Sequence, residues 1–248
     1  MVDRPIDNPL DVHLTPTWAV RALVPHLPFI ARQGVVIDAG AGAGAICSVL
    51  ADEGINVLAV EARVEMAEFA NVELPGMPWV TGDFLDLDLR LPPAVGVVMN
   101  PPYGGRHDTA AQFVRRALDL VRPQGGFVAA LLRLNWLCGG QVSHGRGDWL
   151  RREMPEEVLA LDRRPSFGGF GGRTDATDYA WMIWDAVPSS TSRFRLIRCR
   201  GNLGAEVPCP RSSPQTRLPK PPMPSGSATS QAEETPLCSP TTSGGLPG

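Results

Sequence analysis

The sequence predicts an α/β domain: a seven-stranded, mostly parallel sheet with helices on both faces. Short β-branched apolar runs alternate with helix-length stretches as far as Trp184, which is the rhythm of strand, crossover and strand. The runs are apolar almost throughout, as strands buried on both faces must be. A glycine-rich turn also stands directly between the first run and a helix, where open α/β sheets bind ligands.

In chain order, the predicted strands are Val35-Ala39, Val57-Val60, Trp79-Thr81, Gly96-Met99, Phe127-Leu132, Val158-Leu161 and Tyr179-Trp184. Helices are expected over Pro16-Leu23, Ala45-Asp52, Val64-Ala70, Thr109-Val121 and Trp149-Glu153. Tyr179, Trp181 and Trp184 are expected to pack the last strand. Beyond about Gly204 the composition changes to Pro, Ser, Thr and Gly, too little apolar surface to offset the entropy of ordering a chain. The folded domain is therefore read as residues 1–204 and the remainder, 205–248, as a disordered tail.

A chain of 248 residues with 43% hydrophobic residues can build one packed core. Its formal charge of -3 neither demands nor excludes a nucleic-acid partner, because local patches matter more than the total. Lys220 is the only lysine, so cationic contacts in the folded part fall to arginine. Five scattered cysteines, an odd number with no close pair, point to neither a disulfide nor a metal site. Met1 to Leu14 carries Asp3, Arg4, Asp7 and Asp11 without an apolar run, so neither a leader nor a membrane span is read there. A cytoplasmic protein is expected.

The glycine turn reads Asp38-Ala39-Gly40-Ala41-Gly42-Ala43-Gly44. Its G-x-G-x-G spacing differs from the G-x-G-x-x-G that seats a pyrophosphate on a helix N-terminus, which turns the reading from a dinucleotide toward S-adenosyl-L-methionine, a cofactor without phosphate. Alone, such a turn would also suit a βα connection with no ligand. Two acids strengthen the cofactor reading. Glu61 ends the second strand, where a carboxylate can accept from both ribose hydroxyls. Asp83, after the third, can receive the adenine amino group while Phe84 packs on its ring. Asp38, Ala39, Gly40, Gly42, Glu61, Asp83 and Phe84 thus converge on one crevice as cofactor-binding candidates.

Asn100-Pro101-Pro102-Tyr103 follows the fourth strand. It could simply terminate that strand, since Asn-Pro and Pro-Pro punctuate structure. It also suits methyl transfer to an exocyclic amino nitrogen, whose lone pair is delocalised into a ring. Two acceptors aimed at its N–H bonds, the side-chain oxygen of Asn100 and the carbonyl of Pro101, help that nitrogen become tetrahedral. Consecutive prolines hold them stiffly, and preorganised groups need no reorganisation during reaction. Tyr103 offers a flat face for a substrate ring.

With these motifs the chain resembles the amino-group DNA methyltransferases, of adenine-N6 type, over roughly residues 14 to 186. The resemblance implies a Rossmann-like class I methyltransferase fold, S-adenosyl-L-methionine as cofactor, Asn100, Pro101, Pro102 and Tyr103 as the catalytic element with Asn100 also near the cofactor, and DNA as substrate. Thr15-Pro16 resembles a Thr-Pro element that touches the cofactor's methionine portion in one subgroup, although a plain helix N-cap followed by proline would read the same.

The resemblance further implies an aromatic stacked on the far face of an extruded base, with Phe167 the candidate in the loop Arg164 to Arg173; a Phe167 tucked into the core is the alternative. Arg173, Arg163, Arg164 and the run Arg193, Arg195, Arg198 and Arg200 could meet phosphates, or be solvated surface charges. The chain departs from the family in having no room between Tyr103 and Gly204 for a target-recognition domain; the insert Leu134-Gly147 could supply limited specificity. Bases in RNA and glutamine side chains of proteins are alternative substrates, because enzymes acting on them share the tetrapeptide. A non-catalytic nucleic-acid-binding relative is a third alternative. Cytosine-C5 chemistry would need a cysteine where Asn100 stands.

Overall fold

A computed structural model describes residues 14–86, 94–103, 108–138, 146–167 and 175–199. The strands are β1 (Val35–Ala39), β2 (Asn56–Glu61), β3 (Trp79–Thr81), β4 (Ala94–Met99), β5 (Phe127–Arg133), β6 (Glu157–Leu161), β7 (Tyr179–Trp184) and β8 (Arg193–Ile197). The helices are α1 (Thr17–Leu23), α2 (Ala45–Asp52), α3 (Val64–Glu73), α4 (Thr109–Val121) and α5 (Arg146–Leu150). They form one sheet in the order β3-β2-β1-β4-β5-β7-β6-β8. Among the described strands only β7 runs antiparallel to its neighbours.

Side-chain alternation along β5 shows why two helical layers are needed. Phe127, Ala129 and Leu131 join the core under α1 and α2, which contribute Val20, Leu23, Ile46, Cys47 and Leu50. Val128, Ala130 and Leu132 join the opposite core with Phe113, Val114, Ala117 and Leu118 of α4. A strand whose two faces are both covered has no polar face to show. Trp181 and Trp184 are buried as expected, and their indole N–H groups donate to the carbonyls of Ala19 at 2.8 Å and Glu153 at 2.9 Å. Gly96 in β4 admits the Phe127 ring, which would lie 2.3 Å from a Cβ built there.

The sheet differs from expectation in its eighth strand. Arg193, Phe194, Arg195 and Leu196 are exposed on β8, and only Ile197 is buried, so the segment carries no buried apolar run and reads as a basic stretch. Parallel pairing with β6 orders it. The last helix begins at Arg146, three residues before the predicted Trp149, and stops at Leu150. The connection from β1 turns one way and that from β4 the other, so the strand order reverses between these neighbours. Their carboxyl ends therefore open the crevice where doubly wound sheets take ligands.

Candidate active site

Asp38 lies in β1 and is fully buried. The Cys47 thiol, one turn into α2, donates to its Oδ2 at 3.1 Å, while Oδ1 has no hydrogen-bond partner among the described residues. Burial pushes this carboxyl up to about 7, against the opposing pull of the Cys47 hydrogen bond. An unpaired buried carboxylate oxygen is costly in an apolar setting, and a donor entering the crevice would relieve it.

After β1 the chain turns through Gly40, Gly42 and Gly44 with φ of 79°, 55° and 82°, torsions that side chains other than glycine rarely adopt. The turn is tied to β2: the N–H groups of Gly40 and Ala41 both donate to the Val60 carbonyl at 2.9 Å. The Gly42 N–H donates to Glu61 Oε2 at 2.7 Å. Glu61 Oε1 receives the Arg63 backbone N–H at 3.0 Å and its Nε–H at 2.8 Å. Asp83 is exposed beyond β3 and accepts the Leu85 N–H at 2.9 Å. Phe84 lies elsewhere than expected. Its ring is in the core against Phe113, with centroids 5.3 Å apart, because the apolar side under α4 offers it more contact than the crevice.

At the end of β4 the Asn100 side chain is held at both ends. Its Nδ2 donates to Thr15 Oγ1 at 3.0 Å, and its Oδ1 accepts from the Tyr103 hydroxyl. The same hydroxyl lies 2.6 Å from the Leu131 carbonyl oxygen in β5. Burial holds the Tyr103 phenol well above its usual range, so it is a donor at any ordinary pH. Thr15 does not cap α1. Pro16 occupies the cap position in an extended conformation without a side-chain bond, and its carbonyl receives the Ala19 N–H at 2.9 Å.

The ring of Tyr103 is not an open face. The Arg133 guanidinium, at the end of β5, stands 5.5 Å from its centroid, and the Tyr179 ring meets it edge-on at 5.8 Å. Arg133 Nε donates to the Tyr179 hydroxyl at 3.1 Å, and that hydroxyl donates to Asp175 at 2.6 Å. Phe167 is buried with its ring edge-on to Tyr179 at 5.1 Å, the core position left open as its alternative. Arg133 and Cys47 escaped the sequence reading. Strand-end placement, which singled out Glu61 and Asp83, would also have found Arg133.

The arginines expected at phosphates are largely engaged with acids. Arg193 reaches Glu156 and Glu157, Arg195 reaches Glu157, and Arg164 reaches Asp178. Arg163 stacks on Trp18 at 3.9 Å. Arg198 is exposed. Arg173, Arg200 and the tail 205–248 lie outside the described residues. Among the described residues no helix is long and apolar enough to cross a membrane, and no group of three or more His, Cys, Asp or Glu could hold a metal ion.

The fold recurs in solved structures. A protein assigned to the class I S-adenosylmethionine-dependent methyltransferases from Listeria monocytogenes superposes with a TM-score of 0.56 at 13% identity, over 76% of this chain and 67% of that one. The fold is the Rossmann-like class I methyltransferase fold. An assigned RNA methyltransferase from Pyrococcus horikoshii gives 0.52 at 16% identity, over 73% of this chain and 91% of that one. A predicted O-methyltransferase from Agrobacterium tumefaciens gives 0.50 at 23% identity, over 74% and 85%. No protein-family model matches the sequence, and no curated protein matches it. The Listeria protein is named as S-adenosylmethionine-dependent. The residues present fit that molecule: Asp38 Oδ1 is an unpaired buried acceptor in the crevice, and the glycine turn leaves backbone without side chains beside it.

Proposed function

We propose that this chain transfers the methyl group of S-adenosyl-L-methionine to an exocyclic amino nitrogen, with adenine N6 in DNA as the acceptor. The observation that carries the reading is the Asn100 amide, fixed at the end of β4 beside the Asp38–Gly44 turn by Thr15 and Tyr103. When bound, the cofactor supplies an electrophilic methyl on a sulfonium, already a good leaving group.

The protein's own residues bind, orient and accept hydrogen bonds. Asp38 receives a donor from the methionine portion at Oδ1, with Thr15 and Pro16 near that portion. Ala39, Gly40 and Gly42 line it with backbone, Glu61 receives ribose hydroxyls, and Asp83 the adenine amino group, with Phe84 behind in the core. Asn100 Oδ1 and the Pro101 carbonyl accept the two N–H bonds of the substrate amino group as the nitrogen becomes tetrahedral. Pro102 stiffens the pair. Tyr103 stands at the substrate side, Phe167 supports it from the core through Tyr179, and Arg173 is the proposed phosphate contact. No strong base is needed, because the methylated nitrogen is acidic enough to release its proton afterwards.

A duplex substrate has to extrude its base at a cost of a few kcal/mol, which a single strand avoids. The deciding experiment incubates the full chain with methyl-labelled cofactor and, separately, duplex DNA, single-stranded DNA, RNA and a glutamine-containing protein, then digests and identifies the labelled product. N6-methyladenine from DNA is expected; label only in RNA or protein would overturn the DNA assignment. Asn100→Ala should lower transfer by about 10²–10³-fold, the loss typical of one preorganised polar contact, with cofactor affinity nearly unchanged.

A further inference from the structure

We infer that Thr15 is a positioning residue for Asn100: its hydroxyl anchors the amide nitrogen so that Oδ1 stays turned toward the incoming amino group, and the Tyr103 hydroxyl holds that oxygen until substrate takes its place. This rests on the proposed reaction and adds to it two roles that neither the tetrapeptide nor a cofactor contact contains.

An asparagine amide is close to symmetric in shape but opposite in chemistry at its two ends. Only the oxygen end can accept a substrate N–H; the nitrogen end would present two donors to two donors. Something must therefore distinguish the ends. The Tyr103 phenol does so from one side, because it is held protonated and donates to Asn100 Oδ1. Thr15, 85 residues away, anchors the nitrogen end by accepting Nδ2–H at 3.0 Å. Thr15 is 7% exposed, so little water can stand in for its hydroxyl. When the amino group arrives, the single proton of the Tyr103 hydroxyl can turn to the Leu131 carbonyl, 2.6 Å away. Both partners stay in place and no buried donor is orphaned. Thr15 alone then fixes the amide, at the moment when Asn100 Oδ1 is needed.

The test uses the full chain as wild type, Thr15→Val, Thr15→Ser and Tyr103→Phe. Three quantities are measured: the Asn100 side-chain NH2 pair in a 15N correlation spectrum, assigned by its loss in Asn100→Ala; calorimetric affinity for S-adenosylhomocysteine; and kcat and KM on the acceptor found above. In Thr15→Val the two Nδ2 protons should shift and exchange faster, and kcat should fall about tenfold, as loss of one buried hydrogen bond implies, a larger change than any loss of affinity for S-adenosylhomocysteine. Thr15→Ser should restore all three. Tyr103→Phe should leave the Nδ2 shifts near wild type.

Unchanged Asn100 resonances in Thr15→Val would overturn the inference, and so would a loss confined to S-adenosylhomocysteine affinity, which would make Thr15 a cofactor contact. If wild type methylates no amino group, the proposed function fails, while the spectrum still decides the Thr15–Asn100 bond by itself.

Discussion

Asp38 gives the chain a pH dependence of unusual sign. A carboxyl that ionises near 3.8 in the open chain and near 7 in the fold binds its proton more tightly when folded. Below about pH 4 both states are protonated and nothing is lost. Between the two values the unfolded chain ionises first, so stability falls as pH rises, and above about 7 the loss is complete. At about 1.4 kcal/mol per pH unit, the full loss is about 4 kcal/mol. About 2 kcal/mol of it falls between pH 5.5 and pH 8. Asp38→Asn keeps the shape and an acceptor for the Cys47 thiol but cannot ionise. Urea unfolding at the two pH values should show the variant gaining about 2 kcal/mol relative to wild type on going to pH 8. S-adenosylhomocysteine, whose amino group can donate to Oδ1, should flatten the wild-type dependence and bind the variant more weakly. A relative gain under about 0.5 kcal/mol would refute the argument that burial without a partner governs Asp38.

Two further outcomes follow from the frame around the crevice. Gly44→Ala should destabilise the chain by about 2 kcal/mol, because a left-handed residue with a side chain is strained and its Cβ would stand 2.6 Å from Leu74 Cδ1. Gly54→Ala is the control in urea titrations, since Gly54 shares the positive φ but a Cβ there meets nothing within 4 Å; equal losses would leave no packing contribution at Gly44. Arg146→Ala should remove about 2–3 kcal/mol, as expected for breaking a mostly buried ion pair. Arg146 holds Asp108 and lies 5.0 Å from the Trp136 ring centroid, while Asp108 sits in the left-handed region with φ 52° and also accepts from Trp136. Because Asp108 occupies the N-cap position of α4, five residues after Tyr103, a lower urea midpoint should come with a raised KM for the acceptor; an unchanged KM would separate the pair from the substrate side.

The frame was legible in the sequence because it is written locally. An apolar run, a glycine turn and a helix appear together within Val35 to Asp52, and topology then carries Asn100 to the same edge through β4. The strand β8 was not legible, since its order comes from pairing with β6 rather than from an apolar pattern. Contacts across the chain were equally hidden. Thr15 reads as a helix cap until the fold brings it to Asn100, and Tyr103 reads as a free ring until β5 supplies Arg133 above it and Leu131 beside its hydroxyl. The arginines around Glu157 look like a phosphate site in one dimension and form surface ion pairs in three.

Glu61 shows how the same residues serve the fold and the proposed chemistry. Its Oε2 holds the Gly42 N–H, and its Oε1 holds both the backbone and the side chain of Arg63. Carboxylate oxygens accept more than one hydrogen bond each, so the bonds to Gly42 and to the Arg63 backbone can persist when a ribose diol arrives. On the proposed reading the bond that would yield is the one to the Arg63 guanidinium, which is 44% exposed and can return to water. The Arg63 end of this pair is exposed while Glu61 is buried, so on that reading a ribose hydroxyl would replace the guanidinium as a partner of Glu61. The Gly40 and Ala41 N–H groups also bind the Val60 carbonyl, so the turn is pinned to β2 by the protein alone, and on the proposed reading a bound cofactor would complete Asp38.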